Sequence, residues 1–583
     1  MTRHKLNRPP PIHSLVPLLA TLRHYQLGWL SKDFLAGLSA CIVMIPSVIA
    51  YAELVHLPPI TGLYAALAAS IGYALFASSK HVIAGPDAAI GLLAGSAILP
   101  LAGGDPARTA LLAAVLALLA GATLLLSARL HLGVIADLLS RPVLVGYLNG
   151  ASLVLISTQL GKMFAIKTQG EEFFPLLGTL IEQLPTTHLP TFALGVALVL
   201  LLVLVGRFAP RVPGALAASA VALLVSYTFD LSAYGIALVG EVPSGIPHLS
   251  LPYPRWSDVA ALAPAAVAIA FLAFSDGILL AQTFAEKNGY EVNPNQELAA
   301  LGASNILAAL WQGFPVSASQ SRTSIVDAAG GRSQVAQLVA ASGLLLFLLF
   351  LTGLIALLPK VALGAILIVT AVGMLEFASL RTLYRVDQKE FSIAMGVTLT
   401  ILIAGVVPGI ITGLLLSLIA VLVEISRPRD AVLRRVLRDG KFHDCTEEDI
   451  AEDVPGVLVY RLYAPLLFAN ARFVMTRIRQ LVEAAGDELE WLIIDAQAIT
   501  DLDVTAAQRL AELHRELAEQ GVTIKIADAP RPFREELEKV GLSTSLGTQH
   551  FFVSVKKAVD AFEAQKSGNL TASTVSPTPT LEP

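Results

Sequence analysis

Between residues 34 and 426 the chain is a near-continuous series of apolar runs, and two short polar segments interrupt it: Ile83-Ala84-Gly85-Pro86-Asp87-Ala88-Ala89 and Gly313-Phe314-Pro315-Val316-Ser317-Ala318-Ser319-Gln320-Ser321-Arg322-Thr323. In lipid every backbone polar group needs a partner within the protein, so such a chain must fold as packed helices. A Pro-initiated stretch too polar and too short to span reads as a half-helix, and paired half-helices mark the substrate site of a transporter. Each follows a long apolar helix with a polar residue near its middle, Ser47 in the first and Asp276 in the second. Ser47 to Pro86 and Asp276 to Pro315 are each 39 residues. The order of long helix, helix and broken segment recurs, and the chain reads as an internal repeat.

Composition agrees. Of 583 residues, 55 % are hydrophobic and 15 % charged, and the mean hydropathy of +0.68 is too high for a soluble multidomain chain. Charge is concentrated from Arg427 to Lys566, where composition is that of a soluble domain. The net charge of −5 is small for this length, and no segment interleaves basic and aromatic residues as a nucleic-acid surface does. Nucleic acid is not expected as a partner. Cys41 and Cys445 are the two cysteines, too few for a disulfide framework or a paired-cysteine metal site. Met1 to Lys32 has basic residues but no apolar core with a cleavage site, and reads as a cytoplasmic arm.

Hydropathy places runs near 34–52, 59–78, 86–101, 107–127, 132–160, 189–206, 213–229, 258–284, 297–313, 317–330, 334–358, 362–380, 390–405 and 408–426, about fourteen segments with seven in each half. The run 132–160 is long enough to be a broken pair. With the N-terminus inside, the inside loops hold fourteen Lys and Arg residues and the outside loops five, Arg108, Lys162, Lys167, Arg255 and Lys360. That bias puts both termini on the cytoplasmic side.

Asp276 has apolar neighbours on both sides, and a carboxylate at a bilayer midplane costs about 2.5–3.5 kcal/mol or more on insertion scales. It reads as a proton or cation coupling site, or else as a structural carboxylate paired with a neighbouring helix. Arg322 follows Ser319 and Ser321, and together they suit an anion: free N–H groups at a helix start, hydroxyls and a guanidinium. The plainer alternative is an N-capping serine and an Arg that pairs only with Asp276. Ser47 and Tyr51 share a face of the first span after Pro46, which should kink or open that helix; packing explains them equally well. Asp87 is placed to cap its own half-helix, while Glu53, Asp137, Arg141, Asp327 and Glu376 near span ends read as structural.

From Gly456, short β-rich runs alternate with amphipathic helices (457–460, 471–485, 491–495, 505–520, 522–526), which makes a small α/β domain ending near Phe562. Thr505 follows a strand at a helix start. A simple N-cap is the plainer reading there, and a phosphorylation site the sharper one. Residues 427–455 read as a basic linker, and 563–583, rich in Ser, Thr and Pro from Ser567, as a disordered tail.

At these residues the chain resembles the sulfate permease (SulP) family of anion transporters. The resemblance rests on Ile45-Pro46-Ser47-Val48-Ile49-Ala50-Tyr51-Ala52, Leu57-Pro58-Pro59-Ile60-Thr61-Gly62-Leu63-Tyr64, the Gly85-Pro86 turn, the run from Asn293 to Gly302, and Ser319-Gln320-Ser321-Arg322-Thr323. It covers about residues 30 to 565 and implies a seven-plus-seven inverted repeat with gate and core subdomains, followed by a STAS domain over 456–562. It further implies substrate between the facing half-helix ends near Ala88, Ser319 and Ser321, with Ser47 and Tyr51 on the first span, Asp276 at the family's acidic position in the eighth span, and Thr505 at the hydroxyl position phosphorylated in stand-alone STAS proteins. Ser47 stands where many members have Gln, Asp276 where proton-coupled members usually have Glu, and Ala506 where STAS proteins usually have Gly.

The expectation is therefore a polytopic α-helical membrane protein of the cytoplasmic membrane, with a transport domain over 34–426 in repeats of about 34–229 and 258–426 after an arm at 1–33. It should carry sulfate or a related small oxyanion by alternating access, coupled to H+ or alternatively Na+, with no cofactor or metal, as a homodimer in the lipid bilayer. The rivals are a bicarbonate or dicarboxylate carrier and a membrane anion sensor signalling through the STAS domain. An enzyme is not expected, because the spans hold no HExxH, no metal-spaced His pair and no nucleophile beside a base.

Overall fold

The structure is a computed structural model that describes residues 16–133, 140–166, 173–209, 212–240, 242–436, 440–445, 451–539 and 547–567. The chain divides into two compact units, Met1–Ser417 and Leu418–Pro583.

Each of the fourteen apolar runs carries a helix, the last of which begins in the first unit and ends in the second, and the order found in the sequence recurs. After a short helix α1 (Pro17–Arg23), the first repeat runs α2 (Leu27–Leu54), α3 (Pro59–Phe76), β1 (Ala84–Gly85), α4 (Ala88–Ala102), α5 (Pro106–Arg129), α6 (Arg141–Phe164), α7 (Phe173–Gln183), α8 (Leu189–Phe208) and α9 (Gly214–Phe229). The second runs α10 (Trp256–Asn288), α11 (Pro294–Leu310), β2 (Ser317–Ala318), α12 (Gln320–Ala328), α13 (Val335–Phe350), α14 (Gly353–Ala356), α15 (Lys360–Met374), α16 (Phe377–Val386), α17 (Gln388–Ala404) and α18 (Val406–Ser426). Among the described residues, eight helical stretches are long and apolar enough to cross a membrane, with α15 and α16 counted together as one, Lys360–Val386.

From Arg141 the run 132–160 is one helix, and residues 134–139 before it lie outside the described residues. Two expectations change. Helix α2 runs unbroken through Pro46, so the expected opening is absent, and the Ser47 hydroxyl donates to the Val43 carbonyl at 3.1 Å. The 39-residue coincidence is not a structural equivalence: α4 starts two residues after Pro86, but α12 starts five after Pro315, because β2 intervenes.

Helices α2–α5 pack with α10–α13, whereas α6, α8 and α9 pack with α15 and α17. The first bundle is interlocked where α5 crosses α11. A Cβ on Gly121 would lie 2.9 Å from the Gly302 carbonyl oxygen, and one on Gly302 would lie 3.1 Å from that of Gly121. Without water to drive apolar association, such close backbone approach supplies the packing energy.

Strands β1 and β2 pair antiparallel, Ala84 with Ala318 and Gly85 with Ser317, so α4 and α12 leave the pairing in opposite senses with their N-termini near one another. Two-residue strands leave backbone groups over, and side chains take them. Asn305 of α11 accepts from the Val316 N–H and donates to the Val316 carbonyl, both at 3.0 Å. Gln337 of α13 donates to the Ala84 carbonyl at 3.1 Å, and Gln334 to that of Val82 at 3.0 Å. Thr323 accepts from the Ile83 N–H at 3.0 Å. Glu297, buried in the first turn of α11, accepts from the Tyr73 hydroxyl and from the Ser78 and Ser79 N–H groups at 2.9 and 2.8 Å, fixing the turn that leads into β1.

The second unit carries a sheet in the order β4 (Phe442–Asp444), β3 (Asp430–Val436), β6 (Val457–Leu462), β7 (Trp491–Asp495), β8 (Thr523–Ala527), β9 (Phe551–Phe552), with β5 (Ala451–Glu452) beside β3. β6 to β9 are parallel; β3 is antiparallel to β6. Helices α19 (Phe468–Ala485), α20 (Val504–Glu519), α21 (Arg531–Lys539) and α22 (Val555–Lys566) complete the α/β fold. The 427–455 stretch is thus no linker: it carries β3 to β5, and Arg434 pairs with Asp453 and Arg435 with Glu563, while Leu433 enters the core. Helix α22 also runs past Phe562 to Lys566, and the tail beyond Ser567 lies outside the described residues.

Lys525 sits in the middle of β8, 7 % exposed, its amine 4.4 Å from the Trp491 ring centre, and burial pushes its pKa down to about 8. A folded-state pKa below the unfolded one means that folding releases a proton, so this group makes the fold gain stability as pH rises from about 8 towards its ordinary value. Lys525→Met keeps the stem on Trp491 and removes the buried charge; amide exchange in β7 and β8 of the full-length protein at pH 7 should slow relative to wild type.

Asn305→Leu preserves size but orphans both backbone groups of Val316. At about 1–3 kcal/mol for each orphaned group, the unfolding midpoint of the detergent-solubilised protein should fall clearly, and an unchanged midpoint would contradict the clamp.

Candidate functional site

The two half-helix starts differ in how their free N–H groups are met. A helix start leaves its first N–H groups without intrahelical partners. In α4 the Asp87 side chain meets them: it accepts from the Ala89 N–H at 3.0 Å, and the Ala88 and Ile90 N–H groups also point to it. Ala88, expected beside substrate, is 1 % exposed with its amide turned to this carboxylate.

In α12 the N-cap position falls on Ser319, yet its hydroxyl makes no capping bond. It lies 3.4 Å from the Ser321 hydroxyl instead. Ser319 is buried, while Gln320 and Ser321 are exposed. This half-helix therefore presents an accessible, uncapped positive end with two hydroxyls, which is the geometry an anion takes.

Arg322 lies behind that end, 2 % exposed, and donates from Nη2 to the Pro86 carbonyl at 2.8 Å. It does not pair with Asp276, as one reading of the sequence had it. A Cβ on Gly85 would lie 3.2 Å from its Nη2, so glycine is what lets the guanidinium lie against β1. The Arg322 Nε is buried without a partner. The charge of Arg322 acts on Asp87 and Tyr51, and the Tyr51 hydroxyl lies beside that of Ser47. Ser47, Tyr51, Asp87 and Arg322 thus form one cluster, as the sequence grouped the first two with the half-helices.

Asp276 on α10 is half-buried, has no hydrogen-bond or ion-pair partner among the described residues, and interacts electrostatically with Asp87 and Tyr147. Tyr147 was missed in the sequence. It sits on α6, in the other bundle, and its hydroxyl donates to the Ala89 carbonyl at 2.9 Å. A second bridge between the bundles is the Lys162 and Glu53 ion pair, α6 to α2. Asn305, Gln337 and Glu297 were missed too; a polar amide or acid inside an apolar helix was their only signal.

Two of the remaining acids have partners of their own. Asp327 pairs with Lys287 at 2.6 Å and Asn288 at 2.8 Å, and Glu376 accepts from the Ser379 hydroxyl at 2.6 Å. Asp137 lies outside the described residues. In the soluble unit Asp503, not Thr505, caps α20, accepting from the Ala506 N–H at 2.8 Å. Thr505 is the second residue of that helix, with its side chain exposed. No cluster of potential metal ligands occurs among the described residues.

The sulfate permease family model matches residues 30–397 and the STAS domain model residues 450–558. A Mycobacterium tuberculosis (strain CDC 1551) protein named a probable sulfate transporter is 39 % identical over 94 % of this chain and 98 % of its own. A chloroplastic sulfate transporter of Arabidopsis thaliana is 28 % identical over 96 % of this chain and 84 % of its own. Among solved structures, the murine solute carrier 26 family member A9 anion transporter in the inward-facing state superposes with a TM-score of 0.88 at 23 % identity, covering 96 % of each chain. The transmembrane domain of a cyanobacterial bicarbonate transporter superposes with a TM-score of 0.58 at 21 % identity, over 67 % of this chain and 98 % of that one. These two share the fold.

Arg322→Ala removes the fixed cation behind Ser319 and Ser321. A charge-assisted hydrogen bond is worth about 1.5–3 kcal/mol, so binding of a test oxyanion such as sulfate should weaken roughly ten- to a hundredfold. Arg322→Lys should recover part of that, because one ammonium restores the charge but not the planar fit against Gly85 and Pro86. Unaltered half-saturation in Arg322→Ala would leave the half-helix end to hold the anion alone.

Proposed function

The chain belongs to the sulfate permease family of multi-pass anion transporters, and on that premise we propose that it is a proton-coupled symporter of sulfate or a closely related oxyanion, working by alternating access. The uncapped start of α12 carries this reading. Its N–H groups, the Ser319 and Ser321 hydroxyls and the charge of Arg322 behind them suit a small tetrahedral dianion, whose oxygens accept several hydrogen bonds at once. The name of the 39 % identical relative agrees.

The bundle of α2–α5 with α10–α13 holds nearly all of these groups and is the element that moves. Tyr147 and Lys162 reach it from the other bundle, so the Tyr147 bond to Ala89 and the ion pair to Glu53 are contacts to be broken and remade as the site changes sides. The excess of Lys and Arg in the inside loops supports a cytoplasmic position for both termini, and on this reading the STAS domain, with Thr505 exposed, is the regulatory part of a homodimer. Asp276, half-buried and without a fixed partner, is the proton carrier, since a carboxylate that must cross a low-dielectric region does so protonated.

Asp276→Asn keeps size and hydrogen bonding but not titration. In proteoliposomes at zero membrane potential, under a pH gradient of one unit, the loss of one coupled proton should lower sulfate accumulation by about tenfold. Wild-type accumulation in this variant would overturn the assignment.

A further inference from the structure

The site holds more negative charge than one coupling carboxylate explains. Asp87 and Asp276 interact electrostatically, and among the described residues the guanidinium that acts on Asp87 is that of Arg322. Tyr51 from α2 and Tyr147 from α6 also face Asp87. With both acids ionised and a sulfate dianion present, the cluster carries an excess of three negative charges in a low-dielectric interior. With both protonated the excess is one, which faces the positive end of α12.

Asp87 also differs from Asp276 in what it occupies. Its carboxylate accepts from the Ala89 N–H and faces those of Ala88 and Ile90, the donors that the first half-helix would offer to an anion. It is a resident anion in competition with substrate. A proton on it removes the repulsion and weakens its hold on those donors together.

Building on the proposed symport, we propose that Asp87 is a second coupling residue: sulfate enters with two protons, one on Asp87 and one on Asp276, and protonation of Asp87 releases the start of α4 to the substrate. The cycle is then electroneutral, since two protons balance one dianion.

The test uses the full-length protein in proteoliposomes, with labelled sulfate and a trapped pH-sensitive dye giving the proton-to-sulfate ratio, and with potassium and valinomycin setting the potential. Wild type should show a ratio of two and uptake indifferent to potential. Asp87→Asn and Asp87→Ser both keep a residue that caps helices well, which guards against a folding defect. Each should show a ratio of one, uptake accelerated by an inside-positive potential, and accumulation under a one-unit gradient at zero potential reduced from about a hundredfold to about tenfold. A ratio of two in either Asp87 variant overturns the inference and leaves the symport reading standing. A ratio of one in wild type overturns it without any variant. Sulfate uptake with no proton movement overturns both.

Discussion

Everything at the centre of this protein depends on backbone that leaves the helical state where water is scarce. Between α3 and α4, and again between α11 and α12, the chain runs extended, and its N–H and C=O groups lose their helical partners. An unpaired group there costs several kcal/mol. The protein meets that cost with a two-residue ladder and with side-chain amides, Asn305 on Val316 and Gln337 on Ala84. These substitutes come from neighbouring helices, so they fix position as well as satisfy hydrogen bonds. The half-helix ends are rigidly aimed because the strands before them are held from the side.

That rigidity makes the asymmetry of the two ends meaningful. One end is closed by its own carboxylate, and the other carries a serine at the capping position whose hydroxyl makes no capping bond and lies beside that of Ser321. Arg322 belongs to the open end but reaches across to Pro86 and Gly85 at the closed one. Charge on one half-helix is thereby felt by the other. Under the proposed symport, proton and anion would share one set of donors, and their coupling would need no long pathway.

Hydropathy and breaks made the architecture legible in the sequence: every apolar run is a helix, and β7 was located at Trp491 to Asp495. Pattern could not tell where a half-helix begins. Pro86 and Pro315 look equivalent, but Pro86 lies just before a cap and Pro315 before a strand, and only pairing between distant segments decides this. The same limit hid the strands in 430–452, whose arginines resemble a linker until their partners Asp453 and Glu563 are seen. Thr505 was misread as a cap because two hydrogen-bonding residues stand near one helix start and Asp503 takes the role. Ser319, Ser321, Arg322 and Asp276 were legible as polar residues in apolar surroundings. Tyr147 was not, since an aromatic in a span is ordinary until its hydroxyl is found on Ala89.

The cross-repeat hydrogen bonds also impose an order in time. The carbonyl of Ala84 waits for Gln337, 253 residues later, and that of Pro86 for Arg322, 236 residues later. At about 5–20 residues per second of synthesis, β1 is made roughly 10–50 s before its partners exist. The first repeat therefore cannot settle into its final form as it emerges. Its extended segment must stay in water, or be sheltered by the insertion machinery, until the second repeat arrives to receive it, and both repeats then acquire their finished centre in the same event.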